Sequence, residues 1–122
     1  MAQDHKQLAR ALILAAQLRF GNDIRLFERH AGLLFTREGK PISPFRKGQA
    51  DLYGWLKIDG MARHVEIELK IGRDKLRAEQ EDWKRTCEEG GVTYLLVHVP
   101  TTGSIEESVK AACDAIARVR SL

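Results

Sequence analysis

A chain of 122 residues that is 43% hydrophobic and 30% charged has the length and composition of one globular domain, and it is too apolar for a disordered protein. No apolar run approaches the ~20 residues of a membrane helix, and the polar start of the chain does not resemble a secretory signal. We therefore expect a single domain over residues 1–122, in the cytoplasm of a bacterium or of a phage-infected host. Residues 1–64 carry a net charge of +5 and residues 65–122 a net charge of −2. A basic first half favours a polyanionic partner, although such asymmetry also occurs in proteins that bind no nucleic acid.

The first half of the chain predicts one helix followed by three strands. Apolar residues recur at helical spacing over residues 6–20 and stop at Gly21, which is typical of a helix with a glycine terminator. The three strands that follow are predicted at residues 33–36, 50–58 and 61–71. The last two are joined by Asp59-Gly60, the strongest hairpin signal in the chain.

The second half predicts two helices around one further strand. A charged helix is predicted over residues 74–89, and residues 92–99 have the nearly all-apolar pattern of a strand buried on both faces. Ser104 and Glu107 form a capping box that opens the last helix, residues 105–119, whose apolar face is expected to pack on the chain's own sheet. Because a helix leads into the last strand, that strand is expected to run parallel to its neighbour. The predicted fold is α/β, a mixed central sheet flanked by helices.

The polar face of the predicted strand at 61–71 carries the most informative residues. Glu68 and Lys70 stand two residues apart and leave the sheet on the same face, which Glu66 shares. Asp51 lies at the start of the neighbouring strand, where pairing can bring its carboxylate beside Glu68. Two carboxylates and a lysine suit Mg²⁺ or Mn²⁺ and a phosphate, because these ions prefer oxygen ligands. The alternative is a solvated outer face with cross-strand ion pairs, and for Glu66 we favour that interpretation.

Several motifs surround these residues in a fixed order. They are FERHAG at 27–32, KGQADLYG at 47–54, VEIELK at 65–70 and QEDW at 80–83. Together they resemble the VRR-NUC (virus-type replication-repair nuclease) family of the PD-(D/E)XK nuclease superfamily, over roughly residues 24–97. The resemblance implies a restriction-endonuclease-like αβββαβ core, followed here by a C-terminal helix, and a metal-dependent DNA endonuclease.

The resemblance implies a role for each matching residue. Asp51 and Glu68 would bind Mg²⁺ or Mn²⁺ together with the backbone carbonyl of Leu69. Lys70 would be the catalytic lysine, and Gln80 would steady Lys70 or the water network.

Other positions around the motifs are less directly matched. Family members carry a glutamate early in the first helix, where the nearest acid here is Asp4, so either Asp4 substitutes or the site lacks that ligand. The four histidines share no metal-ligand spacing, and none is assigned to the metal. Basic residues near the motifs are candidates for phosphate contacts, with a merely solvated loop as the competing interpretation. These residues are Arg29, Arg46, Lys47, Arg73 and Lys75.

The resemblance also implies a substrate and an assembly. Stand-alone members act as dimers on branched DNA, so we expect a homodimer that resolves four-way (Holliday) junctions in DNA repair, with no organic cofactor and no membrane partner. A flap or single-strand nicking nuclease is the close alternative. A non-cleaving DNA-binding module with the same fold is favoured by the missing glutamate, and a generic α/β domain with a fortuitous motif is the third possibility.

Overall fold

Helices and strands alternate along the part of the chain that a computed structural model describes, residues 5–29, 34–42, 48–101 and 103–120. No helix in these ranges is long and apolar enough to cross a membrane. A short 3-10 turn at Gly21–Asp23 ends the first helix. The elements are α1 (His5–Phe20), β1 (Ile24–Glu28), β2 (Leu34–Phe35), β3 (Pro41–Ile42), β4 (Leu52–Ile58), β5 (Met61–Ile71), α2 (Ala78–Glu89), β6 (Thr93–Val99) and α3 (Ile105–Arg120).

Four of the strands form one mixed sheet in the order β1-β4-β5-β6. Strand β4 runs antiparallel to both β1 and β5, whereas β6 is reached through α2 and runs parallel to β5. The turn between β4 and β5 has positive φ at Asp59 (51°) and Gly60 (81°), as a two-residue hairpin loop requires. The predicted mixed sheet, its hairpin and its parallel last strand are therefore confirmed.

The first strand of the sheet lies elsewhere than the sequence predicts. It is β1, in which Ile24 and Leu26 are buried while Phe27 is exposed, the period-two pattern of a strand with one covered face. The predicted strand at 33–36 is wrong as a member of this sheet, because Leu34–Phe35 pairs with Pro41–Ile42 in a separate two-stranded ribbon.

The prediction that the last strand is buried on both faces is also wrong. Strand β6 is an edge of the sheet, so among the described residues no strand lies on one of its sides. Val97 and Val99 are buried, but His98 is exposed and Thr93 to Leu96 are only partly covered. Its apolar composition reflects contacts with α3 along one face rather than a central position.

The two faces of the sheet are covered differently. Helices α1 and α3 pack together on the apolar face, which confirms that the last helix packs on its own sheet. Helix α2 lies on the other face, where Gln80 and Cys87 are its buried residues, and both cysteines are free and buried. The core on the apolar face is built from Leu8, Leu12, Ala16, Ile24, Leu26, Leu52, Leu56, Val65, Ile67, Leu69, Val97, Val99, Val109, Ala112, Cys113 and Ile116. The side chains of the other, alternate residues of β5 therefore point to the opposite face of the sheet, toward α2.

Gly48, just before β4, determines how closely the chain passes α2. Its φ is +92°, and a Cβ at this position would lie 2.4 Å from the carbonyl oxygen of Glu79 in the first turn of α2. The position therefore demands a left-handed conformation and a close contact between two backbones at once. Both requirements fix the path of the chain that leads to Asp51, three residues later.

We expect Gly48→Ala to lower the free energy of unfolding more than Gly60→Ala does. Gly60 also has positive φ (+81°), but a Cβ there meets no atom within 4 Å. Gly60→Ala, the control, should lower the free energy of unfolding by about 1 kcal/mol from backbone strain alone. Gly48→Ala should lower it by about 2 kcal/mol more, because the backbone of α2 must move. Urea unfolding measures both, and equal losses in the two variants would contradict the proposed contact.

Candidate active site

The candidate site forms where β4 and β5 separate. Leu52 and Ile67 are the last residues paired between these strands, although β5 continues to Ile71. Beyond that pair the N–H of Leu69 donates to Oδ2 of Asp51 at 2.8 Å instead of to a strand. The Asp51 carboxylate thus takes the place of a backbone acceptor from β4, and this hydrogen bond holds it against β5.

The backbone carbonyl of Leu69 faces the first helix. His5 Nε2 lies 3.1 Å from the Leu69 carbonyl oxygen. Because a carbonyl oxygen only accepts, the ring nitrogen is the donor in this contact. The sequence does not assign His5 to the site, since no motif links it to residues 64 positions away; its one signal is that His5 precedes Leu8 by three residues and so shares the buried face of α1.

Glu68 is held by the start of α2. Its side chain is 2% exposed, and its Oε1 accepts a hydrogen bond from Gln80 Nε2 at 2.9 Å. The same Gln80 amide accepts at Oε1 from the Arg77 N–H at 2.8 Å, so that it caps the helix it belongs to. This cap explains why α2 begins at Ala78 rather than at the predicted residue 74. One side chain therefore ties the start of the helix to the carboxylate.

Asp51 and Glu68 crowd each other. Burial, then the neighbouring carboxylate of Asp51, raises the pKa of Glu68 from about 4.5 to about 9, whereas the charges of Lys70 and Arg77 act in the opposite direction. Two buried carboxylates without enough positive charge between them favour a proton or a cation at that place.

Lys70 and Tyr94 add two further polar groups near these carboxylates. Lys70 is 7% exposed and forms no ion pair with any residue that the structure describes. The hydroxyl of Tyr94 is buried, and the described residues give it no hydrogen-bond partner. Burial, and then the charge of Glu68, raises the pKa of Tyr94 above its usual range. The sequence offers no signal for Tyr94 beyond its place on an apolar strand.

Glu66, predicted as a solvated neighbour, is instead fully buried. Its oxygens accept two bonds from the Arg29 guanidinium, at 2.6 and 3.1 Å, one from Trp83 Nε1 at 2.9 Å, and they lie 2.8 Å from His64 Nε2. Burial alone would raise the pKa of Glu66, but the bonds from Arg29, Trp83 and His64 outweigh it and lower the pKa. The prediction is wrong because it could not include donors that come from other elements.

Arg29 is part of this buried cluster rather than of an outer rim. Its side chain is 10% exposed, donates to the carbonyl of Ala50 at 3.0 Å and stacks over the ring of Tyr53 at 4.5 Å. The guanidinium is turned inward to Glu66, which corrects its predicted position at a phosphate-contacting rim.

The remaining predicted contacts divide into two groups. Arg73 and Lys75 are exposed in the segment between β5 and α2, next to the end of the strand that carries Lys70. Asp4, Arg46 and Lys47 lie outside the described residues.

The residues at the site fit a small oxygen-binding cation. No three His, Cys, Asp or Glu side chains within the described ranges form a ready metal-binding group. Mg²⁺, however, is commonly held by one or two carboxylates and keeps several waters. Asp51 and Glu68 supply such a pair, the raised pKa of Glu68 marks uncompensated negative charge, and the Leu69 carbonyl has no strand partner on this side.

Comparison of the chain with family models, with curated proteins and with solved structures finds no match in any of the three. Any functional assignment therefore depends on the residues and on their geometry.

We expect the metal-free protein to lose stability as the pH rises from about 4.5 to about 9, because the folded chain keeps a proton on Glu68 that the unfolded chain has lost. This contribution is complete below pH 4.5 and declines by at most about 1.4 kcal/mol per pH unit. Glu68→Gln should remove that part of the decline, whereas Glu106→Gln on the exposed side of α3 should not. Urea unfolding with EDTA at several pH values measures this loss of stability. The same pH dependence of the free energy of unfolding in wild type and Glu68→Gln would contradict the expectation.

We expect Arg29→Ala to lower the free energy of unfolding by about 3 kcal/mol or more, because Glu66 would be left buried without its charged partner. Arg10→Ala, which removes an exposed ion pair with Glu28, should cost less than about 1 kcal/mol. Thermal and urea unfolding compare the two variants. A stable Arg29→Ala variant that had lost only DNA affinity would contradict this structural role and support the predicted phosphate contact of Arg29.

Proposed function

We propose that this chain is a metal-dependent DNA endonuclease that hydrolyses phosphodiester bonds with Mg²⁺ or Mn²⁺. The observation that carries the proposal is the meeting of Asp51 and Glu68 at the separation of two strands, with Lys70 on the same face and Gln80 bonded to Glu68. A buried acidic pair beside a lysine that forms no ion pair with the described residues serves no evident structural purpose, since Glu66 next to it shows how this face stabilises a carboxylate that is only structural.

The order of the elements supports the finer assignment of the fold. One helix, three antiparallel strands, a crossover helix and a parallel strand follow one another as in the restriction-endonuclease-like αβββαβ core. We therefore keep the VRR-NUC resemblance as the family to be tested. Along the chain, the extra ribbon of β2 and β3 comes between β1 and β4, and α3 follows the core.

The residues divide the chemistry among them. Asp51, Glu68 and the Leu69 carbonyl would hold the ion, which supplies positive charge to the phosphate and lowers the pKa of a water molecule. Gln80 orients Glu68 by holding Oε1, and Lys70 places an ammonium group where negative charge grows on the phosphate as the water oxygen attacks and a P–O bond breaks.

The substrate class follows from charge and from the resemblance. Arg73 and Lys75 extend an exposed basic segment from the end of β5, where they can contact the DNA backbone. Arg46 and Lys47, which lie outside the described residues, remain candidates. By analogy with stand-alone family members, a homodimer that cuts branched DNA such as a Holliday junction, in the cytoplasm of its host, is the preferred form. Flap or single-strand nicking is the alternative within the same chemistry.

We expect the purified chain to cut labelled four-way junctions in Mg²⁺ or Mn²⁺ and to lose this activity in EDTA. Asp51→Asn, Glu68→Gln and Lys70→Met should each lower the cleavage rate by at least about 100-fold, because each removes a charged group that acts on the phosphate or the ion. Lys57→Met, an exposed lysine on β4, is the matched control and should cut as the wild type does.

Flapped, nicked and linear duplexes in the same assay determine the preferred DNA structure. Tight junction binding without cleavage in either metal would replace the proposal with a non-cleaving DNA-binding module. Binding to none of these DNAs would leave an α/β domain with a fortuitous motif.

A further inference from the structure

We infer that the sheet face beside the candidate active site binds unpaired DNA, whose bases stack on Phe27, Tyr53 and Trp55. We call these three residues the aromatic surface. Its role rests on the proposed function and narrows the substrate class, because the DNA that is cut would carry unpaired nucleotides next to the cut. None of the three rings belongs to the apolar core between the sheet, α1 and α3.

The three aromatic residues share one face of the sheet. In the register of the strands Phe27 lies opposite Tyr53 on β4, and Trp55 follows Tyr53 by two residues. Leu52 and Leu56, which alternate with them along β4, are buried in the core on the other face. The aromatic surface therefore faces away from α1 and α3.

The aromatic surface is only partly covered, because α2 packs over β5 and β6. Phe27 is 49% exposed, and Tyr53 and Trp55 are each partly exposed. The ring centroids of Phe27 and Tyr53 are 5.8 Å apart, with an angle of 37° between the ring planes, and the Arg29 guanidinium lies 4.5 Å from the Tyr53 centroid. Tyr53 is thus fixed by its neighbours, while Phe27 keeps almost half of its surface in solvent. Contiguous exposed apolar groups of this kind are typical of binding surfaces.

The charges around the aromatic surface suit a polyanion. Arg25 lies opposite Trp55 in the sheet, and its guanidinium donates to two backbone carbonyls and to the side-chain oxygen of Asn22, none of which carries a charge. Glu66, on the same face, is compensated by Arg29. A phosphate next to the aromatic surface would therefore meet positive charge from Arg25 without repulsion from an uncompensated Glu66.

Exposed aromatic rings suit unpaired DNA better than a duplex. In a duplex the faces of the bases are stacked on their neighbours, so that side chains reach only the base edges in the grooves. An unpaired base exposes its face, which stacks on an aromatic ring whatever the identity of the base. The aromatic surface therefore favours single-stranded DNA of any sequence.

The aromatic surface lies next to the candidate active site. Tyr53 follows Asp51 by two residues, which is about 7 Å along an extended strand. The N–H of Arg29, two residues after Phe27, donates to the Asp51 carbonyl at 2.9 Å. A base on Phe27 and a phosphate at Asp51 can therefore belong to neighbouring nucleotides of one strand. Flaps and single-stranded ends supply such nucleotides, whereas a fully paired junction does so only when it opens.

The test measures DNA binding in EDTA, so that metal-dependent cleavage does not interfere. We expect the wild type to bind a short labelled oligothymidine more tightly than a duplex of the same length. Phe27→Ala should weaken binding of the single strand about tenfold or more, because it removes the stacking ring, whereas Phe27→Trp should retain binding. Leu18→Ala is the matched control and should bind as the wild type does, since it removes an even more exposed apolar side chain from α1, on the other face of the sheet.

Photocrosslinking locates the bound bases without any variant. Oligothymidine that carries iodouracil in place of one thymine should crosslink on irradiation to Phe27, Tyr53 or Trp55, and mass spectrometry of the peptides identifies the residue. Crosslinks confined to other residues would overturn the inference, as would undiminished binding by Phe27→Ala. If Phe27→Ala instead converts a dimer to a monomer in light scattering, the face is an interface between copies of this chain and the inference is likewise overturned.

Failure of the aromatic surface can be distinguished from failure of the proposed function. Metal-dependent cleavage of branched DNA by a chain that does not bind oligothymidine would overturn the aromatic surface and leave the endonuclease. Single-strand binding that depends on Phe27, without cleavage of any DNA in Mg²⁺ or Mn²⁺, would overturn the endonuclease and leave a surface that binds unpaired DNA.

Discussion

The geometry of the site depends on the point at which β4 and β5 separate. Their last paired residues are Leu52 and Ile67, so the backbone N–H and carbonyl of Leu69 have no partner in β4 although Leu69 lies within β5. Buried backbone N–H and carbonyl groups have to be hydrogen-bonded, and here Asp51 accepts from the Leu69 N–H while His5 donates to the Leu69 carbonyl. A single gap in the strand pairing thereby fixes an acidic side chain from the preceding loop and a ring from the first helix against the same residue.

Two glutamates on one face of β5 show why similar positions take different roles. Glu66 receives donors on both oxygens, including a full positive charge from Arg29, so its pKa is lowered and its charge is compensated within the protein. Glu68 receives a neutral donor from Gln80 and lies against Asp51, so its pKa is raised to about 9. The carboxylate whose charge is not compensated is the one that attracts a proton or a cation. The electrostatic surroundings, rather than the alternation of the strand, distinguish these two residues.

The predictable parts of this molecule are those that short-range pattern determines. The hairpin at Asp59-Gly60, the limits of the longer helices and the meeting of Asp51 with Glu68 follow from local signals and from motif spacing. The edge position of β6 depends on how many strands the sheet contains, which no single segment encodes. The burial of Glu66 and the contact of His5 depend on partners 37 and 64 residues away, Arg29 and Leu69, and such contacts exist only once the whole fold has formed.

The apolar core and the polar site are coupled through the two helices that reach Leu69 and Glu68. On one face of the sheet, the buried side chain of Leu8 fixes α1 and therefore the ring of His5. On the other, Gln80 belongs to the first turn of α2 and holds Glu68 directly. The distance between α1 and α2 is set by the side chains packed between each helix and the sheet, since protein interiors are close-packed and transmit displacement. A change in core volume near Leu8 therefore shifts α1 against α2 without touching either carboxylate. Stability and site geometry in this chain consequently depend on the same packing.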